Sequence, residues 1–117
     1  MVALEIGAHH PAWGDIHLGP ANALVAHSWL GGGALLPIHW GTFNLAMHPW
    51  DEPAELVYTR APAAGIQLVM PKLGEAVEPT RYELGDAWWR TVAPVTATLA
   101  ADEPSEATEE PVQQLPD

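Results

Sequence analysis

The apolar positions of this chain fall in short runs separated by proline and glycine. Val2-Ala3-Leu4-Glu5-Ile6 is a brief β-branched run that stops at Gly7, and it predicts a strand. Pro20 opens a helical pattern over Ala21 to Leu30, with Ala23, Ala26, His27 and Leu30 on one face, before Gly31-Gly32-Gly33 breaks it. Leu35-Leu36-Pro37-Ile38 then predicts a buried strand that halts at His39. Strand, helix, strand makes a crossover unit with parallel strands. Asp51 as N-cap and Pro53 in the first turn predict a second helix over residues 53–61, burying Leu56, Val57 and Ala61. It should end or kink at Pro62, where a helix interior would lose about 3 kcal/mol. Ile66 to Met70 predicts a third strand stopped by Pro71, and Lys72 to Pro79 is a turn-rich descent. Residues 81–93 carry Tyr82, Leu84, Trp88 and Trp89, enough aromatic surface to dock on the domain as a short strand or extended arm.

These elements define an α/β fold in one domain, residues 1–93, followed by an acidic Pro/Glu-rich tail at 94–117 that reads as disordered. The first strand has no polar lead-in, and on that ground the chain is expected to start inside a larger fold. With 117 residues there is room for a single core.

Composition narrows the chemistry. The chain has no cysteine, which excludes disulfides, thiolate metal sites and thiol nucleophiles and leaves histidine and carboxylate as metal donors. Four Lys and Arg against fifteen Asp and Glu give a charge of −11, which repels phosphate backbones; no nucleic-acid partner is expected. No apolar run approaches the roughly 20 residues of a transmembrane segment, and no basic-then-apolar leader is visible, so a cytoplasmic location is expected, with membrane contact at most peripheral.

The candidate chemistry lies in two loops. His39 stands at the carboxyl end of a predicted strand, where a rigid sheet fixes geometry and a loop leaves one side open. The segment from Ala8 to Gly19 holds His9, His10 and His17 with Trp13 and Asp15, a density that a mere connection does not need. Adjacent His9 and His10 point to opposite faces of an extended chain, so they cannot share an ion. Asp15 is placed to orient His17 from behind, as carboxylates do for metal-site histidines. His27, on the apolar helix face, and His48 read as structural.

Two segments carry a resemblance. Ile6-Gly7-Ala8-His9-His10-Pro11-Ala12-Trp13 with His17 and Pro20, and Leu36-Pro37-Ile38-His39-Trp40-Gly41-Thr42-Phe43, resemble the carboxyl-terminal part of metallo-β-lactamase-fold hydrolases. The similar branch contains N-acyl-phosphatidylethanolamine-hydrolysing phospholipase D and its bacterial relatives. The resemblance spans residues 2 to about 79. It implies a partial αββα metallo-β-lactamase sandwich and a zinc-dependent phosphodiesterase that uses two zinc ions to activate water on a small-molecule or lipid phosphate. His39 is then similar to the last metal-binding histidine and His17 to the catalytic histidine bordering the substrate phosphate. Trp13, Trp40 and His9 would line the substrate site. The chain departs from the branch's lipid-cleaving members at His9, Ala12 and Asn22, where aromatic, basic and acidic residues are usual.

The family's H-x-H-x-D-H cluster has no counterpart here. The resemblance therefore implies a hydrolase fragment, inactive alone, whose half-sandwich exposes an inner face and self-associates. The competing class is a non-catalytic α/β interaction module presenting its tryptophan-rich loops to a partner.

Overall fold

The computed structural model describes residues 1–14 and 16–92. Two parallel strands, β1 (Val2–Glu5) and β2 (Leu35–Ile38), are joined by helix α1 (Gly19–Trp29), as the strand-helix-strand pattern predicts. The register pairs Val2 with Leu35 and Glu5 with Ile38. Val2 N–H donates to Ala34 O at 2.8 Å and Ile6 N–H to Ile38 O at 3.0 Å, so the two strands are locked at both ends. Helix α2 (Glu52–Arg60) packs on α1, and one 3-10 turn follows over Pro62–Ala64. The helix stops before Pro62, where the proline sterics require it.

The predicted third strand is corrected. Residues 66–70 make one parallel bridge, Leu68 beside Leu35, with Leu35 N–H donating to Gln67 O and Val69 N–H to Leu35 O, both at 2.8 Å. The next two bonds of that ladder would come from the nitrogens of residues 37 and 71. Both are proline and neither carries a hydrogen, so pairing ends after one rung. Pro37 is tolerated inside β2 because its nitrogen faces this side and not β1.

Three other expectations change. Leu30 is exposed, so the buried face of α1 is Ala23 and His27, with Leu24 packed at its edge. His27 is buried with Nε2 bonded to Gly33 O at 2.8 Å, the structural role read from its position. Asp51 makes no side-chain cap; Pro53, Ala54, Val57 and Ala61 form the buried face of α2, and Leu56 is only half-buried. Residues 88–91 dock as a 3-10 turn and not as a strand or extended arm. The acidic tail at 94–117 lies outside the described residues, as does the domain's expected end at 93.

That 3-10 turn closes the core. Trp89 is 1% exposed and meets Tyr58 and Trp40 edge-on, each with ring centroids 5.4 Å apart, while Trp88 lies 5.8 Å away. Such aromatic pairs add about 0.5–1.5 kcal/mol each beyond area burial. Around Trp89 sit Ile6, Leu35, Val57, Leu68 and Met70, which tie β1, β2 and α2 to the carboxyl-terminal segment. The buried indole needs an acceptor, and Glu55 Oε1 on α2 supplies it at 2.7 Å. Arg90 forks onto the same carboxylate at 2.6 and 2.7 Å, and these bonds hold the Glu55 carboxyl below its ordinary pKa.

Replacing Glu55 by Ala leaves a buried indole N–H without an acceptor. The expected loss is about 1–3 kcal/mol in urea unfolding followed by tryptophan fluorescence. Glu55→Gln keeps an acceptor oxygen and should recover part of it.

Candidate functional site

β1 and β2 run parallel, so their carboxyl ends emerge on the same side of the molecule, and two backbone features shape what gathers there. Gly7 packs against the chain leaving β2: a Cβ added at Gly7 would lie 2.0 Å from His39 O and 2.8 Å from Trp40 Cα. Only glycine permits that approach. His39 itself has φ +61°, a left-handed conformation uncommon outside glycine and associated with functional sites. Glu5 lies opposite Ile38, so in a continuing strand His39 would point to the other face. The left-handed turn breaks that alternation and brings His39 to the face of Glu5.

There His39 meets His17, with ring centroids 5.2 Å apart, and one donor atom each from Glu5, His17 and His39 lies within 4.8 Å of the others. Glu5 Oε2 is 3.1 Å from His17 Nδ1, and Glu5 Oε1 accepts Leu18 N–H at 2.8 Å. Leu18 caps the amino end of α1, where a carboxylate is favoured by the unpaired N–H groups and the helix dipole. The Leu18 N–H bond first, then His17, holds the Glu5 carboxyl below its usual range against the opposing effect of burial. Glu5 and His17 are half-buried and His39 is exposed, so one side of the group is open. Imidazole and carboxylate are donor types that divalent metal ions accept, and these three stand close enough to meet one ion.

Trp13, in the 3-10 turn Pro11–Trp13, flanks this group, its ring 6.3 Å from that of His17. His10 turns away and caps that turn, with Nδ1 accepting Ala12 N–H at 3.1 Å. His9 stacks on His48 at 4.6 Å, and its backbone N–H donates to His48 Nε2 at 3.2 Å. The divergence of the adjacent histidines agrees with the sequence reading. His9 Nε2 is buried without a hydrogen-bond partner among the described residues, and burial, followed by the nearby His48, lowers the His9 pKa. Trp40 is half-buried against Trp88 and Trp89 with Nε1 donating to Pro37 O, so one side of it belongs to the core. Its other side joins His39, Phe43, Leu45, His48 and Trp50 around a cavity of about 320 Å³. That volume is at the lower end of small-molecule sites.

Asp15, expected behind His17, lies outside the described residues; among those described, Glu5 is the carboxylate bonded to His17. In the sequence Glu5 stands only as one residue of the predicted first strand. An acid near the end of an apolar run, two residues before a glycine, was the available signal.

No family model matches the chain, and no solved structure matches it. Uncharacterized proteins from two strains of Mycobacterium tuberculosis and one of Mycobacterium bovis do, each 42% identical over 93 residues. The match covers 77% of this chain and 25% of each relative, so the chain spans about a quarter of the length of these curated relatives. Among the described residues no helix is long and apolar enough to cross a membrane.

Gly7→Ala forces a methyl group into the His39 backbone. It should cost about 3 kcal/mol, the upper part of the overpacking range, and displace the His39 ring resonances in NMR spectra. Glu5 has a lowered folded pKa, so its contribution is complete above the unfolded value near 4.5 and is lost as pH falls through the folded value. An acid titration should therefore move the Leu18 amide resonance only below pH 4.5.

Proposed function

We propose that this chain forms part of a zinc-dependent hydrolase of phosphate diesters, with the metallo-β-lactamase fold and the phospholipase D-like branch as its framework. The observation that carries the reading is the convergence of His17 and His39, distant in sequence, with Glu5 at the carboxyl ends of two adjacent parallel strands. His39, held by its left-handed turn and by Gly7, is the metal donor. His17, one ring away, faces the phosphate and hands a proton to the departing oxygen, the work for which a positioned imidazole is suited. Zinc, when bound, supplies the Lewis acidity and the lowered pKa of water that ester hydrolysis at neutral pH requires. Trp13 and Trp40 border the space a substrate would occupy, and the cavity beside Trp40 can take its organic part. The remaining donors of a two-ion site would come from protein beyond these residues, in keeping with relatives of whose length the match covers 25%.

A second reading, a non-catalytic module that binds a partner or another copy of itself, is favoured by one observation. Trp29, Phe43, Met47 and Leu73 are all at least 70% exposed.

A chimera in which this chain replaces the matching 93 residues of the M. tuberculosis relative tests the first reading. It should hydrolyse bis(p-nitrophenyl) phosphate only with zinc. His39→Ala should lose the metal and the activity together, whereas His17→Gln should lower turnover by about 100-fold, within the range for a general acid, while zinc content stays constant. The opposite pattern refutes the assignment, and a folded chimera with no turnover whether or not zinc is added favours the interaction module.

A further inference from the structure

Glu5 is the last residue of β1, and its carboxylate is shared between two consecutive residues of the functional loop. Oε1 takes the Leu18 N–H at 2.8 Å and Oε2 meets His17 Nδ1 at 3.1 Å. The first bond fixes where the backbone passes and the second fixes how the ring is turned. Because the carboxyl is held in its ionised form, it has no proton to offer. The contact to His17 is therefore Nδ1–H donating to Oε2, so that in the neutral ring Nε2 carries the lone pair and is the nitrogen that takes up a proton and releases it. With Nδ1 committed to the strand side, Nε2 is the nitrogen left for the open side that His17 shares with His39.

We propose that Glu5 is the positioning residue of His17, selecting the Nδ1–H tautomer and presenting Nε2 to the reacting group beside His39. The proposal rests on the role given to His17 above, but its physical content, one tautomer imposed by one carboxylate, is independent of any reaction. A carboxylate behind an imidazole also orients the ring and raises the basicity of the opposite nitrogen, which either proton transfer or metal ligation requires. Both of Glu5's oxygens are occupied by protein donors, which argues for this role over that of a free metal ligand. The bond is also half-buried, so water competes for it less than at an exposed pair.

The 117-residue chain, with its histidine ring nitrogens labelled, answers the question by NMR in metal-free buffer at about pH 8.5, above the ordinary imidazole range. His17 should give a protonated Nδ1 and an unprotonated Nε2. Glu5→Gln keeps the side chain's shape but can donate as well as accept, and should produce a mixture of tautomers. Glu5→Ala should do the same. The buried Trp89 indole resonance reports that each variant is folded; where Glu5→Ala fails to fold, Glu5→Gln decides. An Nε2–H tautomer in the unaltered chain, or an unchanged tautomer in a folded Glu5→Gln variant, overturns the proposal. If the tautomer is as expected and the zinc-loaded chimera hydrolyses nothing, the hydrolase reading fails and the positioning role of Glu5 stands.

Discussion

The parallel pairing of β1 with β2 is the constraint on which the rest depends. Four registered pairs would hold little by themselves, but Gly7 lets the two chains stay in backbone contact beyond the last hydrogen bond, at His39 and Trp40. That contact fixes where His39 leaves the sheet, and the left-handed backbone there fixes which face its ring takes. Glu5 is held by the same pairing one position earlier. A loop histidine, His17, is then gathered in by that carboxylate.

Much of this was legible in the chain, and the failures have physical causes. The proline and glycine positions marked the ends of α1 and α2 because their effect on backbone geometry is local and acts whatever the fold. The parallel strands followed from the helix between them. The third strand did not form because a ladder is a property of two chains: Pro71 in one segment and Pro37 in the other each remove a donor, and neither loss is visible until the segments are set side by side. The tryptophans of residues 88 and 89 announced docking but not its form, since an indole seeking an acceptor takes whatever backbone shape brings it to Glu55.

The site divides in the same way. His39 was evident because it ends an apolar run, and His17 because of the company it keeps in sequence. Glu5 was not, because its partner lies twelve residues on and the approach depends on where α1 begins. The carboxylate that meets His17 among the described residues stands on the sheet, a more rigid support than a loop. Trp40 is shared between the cavity and the aromatic core, so a ligand entering beside it would press on the same cluster that anchors the carboxyl-terminal turn.

The two prolines facing each other across the Leu35 bridge also give the sheet a polarity of extension. On that flank, covalent structure forbids further rungs, whereas the outward-facing amides of Ala3 and Glu5 on β1 meet no strand among the described residues. Any β-segment that enlarges this sheet by regular pairing must therefore be laid against β1, and in doing so it would run directly past the carboxylate that steers His17.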